Sequence, residues 1–376
     1  MKIAFLFIAE AYQTYHGASV AMELAQRSGW DVTAYYHDPA TPAEIERIRQ
    51  AFGFQPLDCR PMRQRLRTRL LKRALGRFSL FKKTVMRDNV AELNGYDAIV
   101  AQENSGIALR DLGVDRPLMI YLPHGFGDRA VSFLPRIARF DFVTLAGPKT
   151  ERRMLEKGLI RPGHYALTGV VKLEVAARLG GRWAAPLDMR LPTVLYNPHR
   201  EPKLTSWHRF LNPLLRGFDE DRSMNLIVAP HIKMYNRRTE RERAALRARS
   251  TANVLCDPGS RESVDGTYPA VARIYVGDIS SQVYDFLDRP RPCVFLNAHG
   301  IDWRDDPHFA NWHLGEVVDD PAQVMDAIRA APERHALYRE RQERMIADTL
   351  GDTSPGASAR CAEAIMAFVR RSVSRP

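Results

Sequence analysis

Short apolar segments that favour β-strands alternate with amphipathic segments of helical periodicity along most of the chain. In the first half, the predicted helices are Gly17–Arg27, Pro42–Phe52 and Lys149–Lys157, and the predicted strands are Lys2–Ala9, Asp31–His37, Asp97–Gln102, Leu118–Leu122, Phe140–Ala146 and His164–Leu167. Strands that alternate with helices indicate a parallel sheet whose successive strands are joined by helical crossovers.

The same alternation begins again after Gly180–Pro192, a stretch rich in Gly, Pro and polar residues that we interpret as a linker. Its predicted elements, in chain order, are Thr193–Tyr196, Trp207–Gly217, Asn225–Ala229, Arg238–Ala248, Asn253–Cys256, Arg273–Gly277, Ser281–Leu287, Pro292–Leu296 and the helices Pro321–Ala330, Glu333–Leu350 and Gly356–Ser372. A chain of 376 residues exceeds the usual size of one hydrophobic core. We therefore expect two Rossmann-like domains, residues 1–180 and 190–376, that face each other across a cleft, with the helical tail in the second domain.

The cysteines are few and widely spaced, without a metal-ligand pattern, at Cys59, Cys256, Cys293 and Cys361. This usage favours a reducing cytoplasm over a disulfide framework. The apolar run Ile3–Ala9 stops at Glu10 with no clean small-residue cleavage site, so a first core strand is expected there rather than a secretion signal. No apolar stretch approaches the ~20 residues that a membrane-spanning helix needs.

The net charge of +11 is concentrated in the basic segment Arg60–Arg87, which holds eleven Lys or Arg residues and no Asp or Glu. Leucine and phenylalanine recur through it at helical spacing, which predicts one or two basic amphipathic helices. Such a segment can bind an anionic membrane surface, at the inner face of the cytoplasmic membrane, or a phosphate-rich polymer. It can also be the solvated face of a docked helix. Nucleic acid is not an expected partner because no nucleic-acid-binding fold signature accompanies the charge.

One motif combines a buried strand, two hydroxyl residues and the start of a helix. The strand ends at Gly277, Asp278 and Ile279 follow, and Ser280 is the predicted N-cap of a helix that begins with Ser281. Free amides, two hydroxyls and the positive helix end form an anion site, and ligands of open α/β sheets bind beyond the carboxyl ends of strands. The alternative is an ordinary N-cap without a ligand.

Three further motifs follow predicted strands. His124 and Gly125 lie in a glycine-containing loop, where the histidine can accept a proton from an attacking hydroxyl near neutral pH. His231 can hydrogen-bond a donor phosphate or support a leaving group, and Arg200 and Lys203 can clamp phosphate oxygens. The alternatives are structural loop histidines and surface charge.

These motifs, in this order, resemble the CDP-glycerol glycerophosphotransferases, a family that includes teichoic-acid primases and polymerases and relatives in capsule synthesis. The matching stretches are Leu122–Gly125, Tyr196–Arg200, Ala229–His231 and Gly277–Ser281, within a resemblance that covers about residues 95–300.

The resemblance implies a GT-B fold and transfer of a phosphoalcohol from a CDP-activated donor to a hydroxyl of a cell-surface glycan or lipid-linked acceptor. It implies catalytic roles for His124, as base, and His231. The residues expected to bind the donor are Gly125, Arg200, Lys203, Asp278, Ser280 and Ser281. No metal and no cofactor are expected.

Two other functions remain open from the sequence. One is a GT-B glycosyltransferase or nucleotide-sugar epimerase with a UDP-linked donor, because His16 and Gly17 lie in a first strand-to-helix loop similar to the acceptor-side loop of such enzymes. The other is a non-catalytic scaffold that keeps the fold and the basic segment.

Overall fold

The structure, a computed structural model, describes residues 1–75 (71–75 by backbone alone), 82–124, 133–280 and 282–373. Parts of three sequence predictions lie outside these residues: positions 76–81 of the basic segment, Gly125 and Ser281. Contacts divide the chain into unit 1, which comprises Met1–Val175 and Ala347–Pro376, and unit 2, which comprises Ala176–Ile346.

Unit 1 contains a parallel seven-stranded sheet in the order β3-β2-β1-β4-β5-β6-β7. Its strands are β1 (Lys2–Phe7), β2 (Asp31–Tyr36), β3 (Asp58–Pro61), β4 (Ala98–Ala101), β5 (Leu118–Tyr121), β6 (Phe142–Leu145) and β7 (Tyr165–Leu167). The central strand β1 is continuously apolar, and Ile3–Phe7 are fully buried. Such strands are typical of a parallel sheet that helices cover on both faces.

The helices up to the unit boundary are mostly short. They are α1 (Thr14–Ala25), α2 (Thr41–Phe52), α3 (Leu66–Leu75), α4 (Lys82–Asp88), α5 (Val90–Leu93), α6 (Ala108–Asp111), α7 (Pro148–Glu156) and α8 (Val171–Gly180). Helix α2 shows how the sequence sets such bounds: Pro42 stands in its first turn, and Gly53 ends it with φ of 75°.

Unit 2 contains a parallel six-stranded sheet in the order β10-β9-β8-β11-β12-β13. The strands are β8 (Thr193–Asn197), β9 (Asn225–Val228), β10 (Val254–Cys256), β11 (Ile274–Gly277), β12 (Cys293–Leu296) and β13 (Glu316–Val318). The helices are α9 (Trp207–Glu220), α10 (Glu240–Arg247), α11 (Thr267–Val271), α12 (Val283–Phe286), α13 (Val324–Arg334) and α14 (Ala336–Thr349). Gly217 of α9 permits close packing, because a Cβ there would lie 2.3 Å from the Met325 side chain of α13.

Both sheets have the strand order of a Rossmann fold. In each, the first three strands run outward in one direction, and the fourth returns to the other side of the first strand. The order therefore reverses between β1 and β4 in unit 1 and between β8 and β11 in unit 2, and ligands of doubly wound folds bind at such points. The α/β architecture of two Rossmann-like domains predicted from the sequence is confirmed.

The last helix, α15 (Ala357–Val373), belongs to unit 1 rather than to the second domain, where the sequence analysis placed it. Its Phe368 ring stacks on Phe142 of β6 at 4.6 Å between centroids, and Ser358 Oγ donates to Ser19 Oγ of α1 at 2.8 Å. The apolar face of α15 was evident in the sequence, but the sheet against which it packs was not.

Among the described residues, no helix has both the length and the apolarity needed to cross a membrane.

Candidate functional site

Three predicted motifs meet at the carboxyl edge of the unit 2 sheet. Asn197, at the end of β8, pairs with Gly277, at the end of β11, and β9 lies on the other side of β8. The loops after these strands are therefore neighbours. The backbone N–H of His231 donates to the Pro198 carbonyl at 3.2 Å, and the rings of His199 and His231 lie 6.4 Å apart between centroids. His199 was not among the predicted site residues.

Asp278 holds the loop after β8 in place. Its buried Oδ2 accepts hydrogen bonds from the backbone N–H of His199 at 2.7 Å and of Ser206 at 3.0 Å. Burial raises the pKa of Asp278 to about 7, against the opposing effect of hydrogen bonds from Ser206 and His199. Asp278 was predicted to bind the donor. The structure gives it a positioning contact instead, because its side chain has no exposed surface.

The loop that Asp278 holds carries Arg200 and Lys203, whose side chains are both exposed. An anchored loop with two exposed cations can present them to phosphate oxygens with less loss of conformational freedom than a mobile loop.

The hydrogen bonds of the two histidines in unit 2 fix their tautomers. The Lys233 N–H donates to His231 Nδ1 at 3.2 Å, and the Glu201 N–H donates to His199 Nδ1 at 3.1 Å. A nitrogen that accepts a hydrogen bond carries no proton, so the proton of each neutral ring is on Nε2. Each ring is thus an N–H donor at Nε2, the polarity that a phosphate oxygen requires.

The helix predicted to begin at Ser281 is shorter than expected. Helix α12 has four residues, its N-cap is Gln282, and the Oγ of Ser280 accepts from the Gln282 N–H at 3.2 Å. The prediction of Ser280 as N-cap is therefore wrong, and so short a helix has a weak dipole. The support for an anion site at this edge comes from the histidines and cations rather than from a helix end.

In unit 1, His124 follows β5 at the carboxyl edge of the sheet. Its Nδ1 lies 2.5 Å from the carbonyl oxygen of Gln102, which follows β4. A carbonyl oxygen only accepts, so Nδ1 carries the proton and Nε2 has the lone pair. This is the tautomer of a general base at Nε2.

Two rings from the N-terminal part of the chain, Tyr12 and His16, lie close to His124. The Tyr12 ring lies 6.4 Å from the His124 ring, and the His16 ring lies 6.2 Å from it in an edge-on arrangement. Burial, together with nearby Lys172 and His124, lowers the pKa of His16 well below its usual range. His16 is therefore neutral at pH 7. Burial and the neighbouring carboxylates, Glu10 and Glu103, raise the pKa of Tyr12 to about 12, so it keeps its proton.

Glu103 supplies a carboxylate at the same edge, and the sequence analysis did not identify it. It accepts hydrogen bonds from Gln13 Nε2 at 3.1 Å, Lys82 Nζ at 2.5 Å and Ser105 Oγ at 2.8 Å. Burial raises the pKa of Glu103, but the hydrogen bonds and charge of Lys82, with smaller contributions from Ser105 and His124, bring it below its usual value. A carboxylate that is ionised at neutral pH therefore lies among the groups around His124.

Within the parts of the chain that the structure describes, no group of three or more His, Cys, Asp or Glu side chains could hold a metal ion.

No protein-family model and no curated protein sequence matches the chain. Solved structures match it over nearly its whole length. The UDP complex of MnaA from S. aureus has a TM-score of 0.63 at 12% identity and covers 100% of this chain and 98% of its own. A histidine-to-asparagine variant of the wall teichoic acid polymerase TagF, soaked with CDPG, has a TM-score of 0.65 at 12% identity and covers 100% and 90%. The UDP-GlcNAc 2-epimerase from Neisseria meningitidis, bound to UDP-GlcNAc, has a TM-score of 0.61 at 12% identity and covers 98% and 100%. At these identities the likeness establishes the fold, which is GT-B-like.

Proposed function

We propose that this chain is an enzyme that transfers a phosphoalcohol, such as glycerophosphate, from a CDP-activated donor to a hydroxyl of a cell-surface glycan or a lipid-linked acceptor. Unit 2 binds the nucleotide diphosphate, and unit 1 binds the acceptor. The reaction needs no metal ion.

The observation that carries the proposal is the grouping of two N–H donors and two cations at the reversal point of the unit 2 sheet. His199 and His231 are donors at Nε2, and Arg200 and Lys203 lie on the loop anchored by Asp278. Donors and cations of this kind stabilise the charge that develops on a leaving phosphate. TagF and the two UDP-binding proteins share this fold, which supports a nucleotide diphosphate as the ligand.

In unit 1, His124 is the base of the proposed reaction. Its Nε2 accepts the proton of the acceptor hydroxyl, and the hydroxyl oxygen forms a bond to the phosphorus proximal to the transferred alcohol. The bond from that phosphorus to the bridging oxygen breaks, and CMP leaves with the electron pair. Such transfers depend mainly on positioning and on charge stabilisation. The order of the four motifs along the sequence favours this reaction over sugar transfer.

The second candidate is a nucleotide-sugar epimerase or glycosyltransferase. The similarity in fold to two UDP-binding proteins and the ionised Glu103 beside His124 favour it. A non-catalytic scaffold is the third candidate.

A thermal-shift panel of CMP, CDP, UMP, UDP, GDP and CDP-glycerol tests the proposal, since a ligand that binds only the folded protein raises its melting temperature. We expect stabilisation by the cytidine compounds, followed by release of CMP from CDP-glycerol when acceptor is added. Stabilisation by UDP or GDP alone would favour the second candidate. No change in melting temperature with any nucleotide would favour the third candidate, the non-catalytic scaffold.

A further inference from the structure

Helix α3 buries a polar side chain, Thr68, against the rest of unit 1 and exposes two leucines to solvent. Thr68 is fully buried, whereas Leu66 is 72% exposed and Leu70 is 55% exposed. At 100° per residue, positions two before and two after Thr68 lie about 160° from it and about 40° from each other. The two leucines therefore share one face, opposite the face that contacts unit 1.

Buried polar residues fix this orientation. Asp88 Oδ2 accepts from Thr68 Oγ1 at 2.5 Å and from the Arg65 backbone N–H at 2.9 Å. Just before the helix, the side chain of Asn89 accepts from the Arg63 N–H at 2.8 Å and donates to the Arg63 carbonyl at 3.0 Å. Turning the helix to bury the leucines would leave these groups without their partners, and a buried polar group without a partner is strongly unfavourable.

Arginines surround the exposed leucines. The side chains of Arg63, Arg65 and Arg67 are 75%, 67% and 54% exposed. Arg69 is exposed as well, and positions 60–69 hold five arginines and no acidic residue. We refer to Arg63, Arg65, Leu66, Arg67, Arg69 and Leu70 as the leucine–arginine surface.

The neighbouring acidic residues do not neutralise this surface. The Arg65 and Arg67 guanidinium groups lie 3.8 Å and 3.6 Å from the same carboxylate, Asp88, and Arg63 lies 3.2 Å from Glu92. Asp88 is already held by the hydrogen bonds that anchor α3. Arg63, Arg65 and Arg67 therefore share two carboxylates, and with Arg69 the surface holds four cations against those two anions.

We propose that the leucine–arginine surface docks on an anionic lipid bilayer. Leu66 and Leu70 enter the acyl boundary, and the arginines contact lipid phosphates, as in interfacial helices. A soluble polyanion would engage the arginines and leave both leucines in water. Leu66 and Leu70 are exposed large apolar side chains one helical turn apart. At this spacing both can enter an apolar boundary together, whereas a polyanion gains nothing from contact with them.

The surface lies at the edge of the sheet that carries His124. Helix α3 follows the carboxyl end of β3, and all strands of the unit 1 sheet are parallel. The next helix, α4, begins with Lys82, which contacts Glu103 at that edge. If the proposed function holds, docking brings the His124 edge toward the membrane, where a lipid-linked acceptor would be found. The docking itself does not depend on that function.

Vesicle flotation of the full chain tests the proposal without any substrate. The vesicles are phosphatidylcholine alone, or phosphatidylcholine with phosphatidylglycerol. One variant, Leu66→Gln with Leu70→Gln, removes the apolar contact without a change of charge. A second, Arg63→Gln with Arg67→Gln, removes two cations.

Helix α14 offers matched controls. Leu337 is 78% exposed, and Arg339 and Arg344 are exposed on the same helix. Leu337→Gln and the pair Arg339→Gln with Arg344→Gln make the same chemical changes away from the leucine–arginine surface.

We expect wild type and both controls to float with phosphatidylglycerol vesicles and not with phosphatidylcholine alone. The leucine variant should lose about tenfold or more in partitioning, because a buried leucine side chain contributes about 1.5–3 kcal/mol. The arginine variant should lose about tenfold or more, because each cation near an anionic surface contributes about 1 kcal/mol. Unchanged flotation of the leucine variant, with loss in the arginine variant, would overturn the proposal, because the arginines alone would then bind, as they would to any polyanion, and the leucines would not enter the bilayer. No flotation of wild type would also overturn it.

Discussion

The carboxyl edges of the two sheets share a strand order but hold their histidines in opposite tautomers. In unit 1 the proton of His124 is fixed on Nδ1 by the Gln102 carbonyl, which leaves a lone pair on Nε2. In unit 2 backbone N–H groups bind the Nδ1 atoms of His199 and His231, so their protons are on Nε2. The strand order sets where a ligand binds, and the backbone partner of each histidine sets whether the ring accepts or donates a proton.

The charged groups at the two edges differ in the same sense. Unit 1 places an ionised carboxylate, Glu103, and the neutral His16 near His124. Unit 2 places Arg200 and Lys203 on a loop that the buried Asp278 anchors. One edge suits a neutral hydroxyl that loses a proton, and the other suits an anion.

The largest effect is expected from His124→Gln, which removes the proposed base. The rate of transfer at saturating donor should fall by about 10²- to 10⁴-fold, the usual contribution of a general base. CMP release followed by chromatography measures the rate, and thermal shift with CDP verifies that the donor still binds. A rate within threefold of wild type would show that His124 is not the base.

His231→Ala should lower the affinity for the nucleotide donor. A hydrogen bond from an N–H donor to a charged phosphate contributes about 1.5–3 kcal/mol to binding. Its loss should therefore raise the Kd for CDP about 10- to 100-fold. Isothermal titration calorimetry measures it. The exposed His208→Ala in α9 is the control and should bind CDP as wild type does. An unchanged Kd in His231→Ala would remove this histidine from the donor site.

Asp278→Asn should change how stability depends on pH. A free Asp titrates near pH 3.9, whereas the pKa of buried Asp278 is raised to about 7. Between these values the folded chain holds a proton that the unfolded chain has released, so the free energy of unfolding of wild type falls as pH rises. Asn keeps an oxygen acceptor and does not titrate. Its stability relative to wild type should rise by up to about 1.4 kcal/mol per pH unit from about pH 4 to 7.

Urea unfolding at several pH values measures this difference, with Asp219→Asn on the surface of unit 2 as the control for a lost carboxylate. If the free energies of unfolding of Asp278→Asn and wild type change in parallel from about pH 4 to 7, Asp278 is ionised in the folded protein across that range.

A smaller effect is expected from Lys82→Met, which removes the cation beside Glu103. Lys82 no longer offsets the effect of burial, so the pKa of Glu103 should rise. The free energy of unfolding at pH 7 should fall by about 1–3 kcal/mol, because the buried carboxylate loses its charged partner. The neighbouring exposed Lys83→Met is the matched control. Equal stability of the two variants in urea would show that the Lys82–Glu103 pair contributes nothing.

The smallest effect is expected from removal of metal ions. Activity should be the same in EDTA as in magnesium, since the proposed reaction uses side-chain charges alone. Complete loss in EDTA, with recovery on addition of magnesium, would contradict the metal-independent mechanism.

Much of the fold could be predicted because apolar strands and amphipathic helices leave a local signature. The short strands β3 (Asp58–Pro61) and β13 (Glu316–Val318) were not predicted, because strands of three or four residues show little periodicity. The prediction that α15 belongs to the second domain was wrong, because an apolar helix face does not specify which sheet covers it.

Only part of the candidate site had a local signal in the sequence. His124 and His231 were predicted because each follows a strand, and their roles stay predictions. The position of the proton on His124 could not be predicted, because the partner that fixes it, Gln102, is 22 positions away. Likewise, Asp278 accepts hydrogen bonds from residues 72 and 79 positions earlier in the chain, so its positioning contact had no local signal.

The measurement that tests this account most directly is a long-range proton–nitrogen NMR spectrum of the histidine rings, assigned with His124→Gln, His199→Gln and His231→Gln variants. The account predicts the proton of neutral His124 on Nδ1 and those of His199 and His231 on Nε2. A proton on Nε2 of His124 would contradict it, because both edges would then carry donors and neither would hold a base.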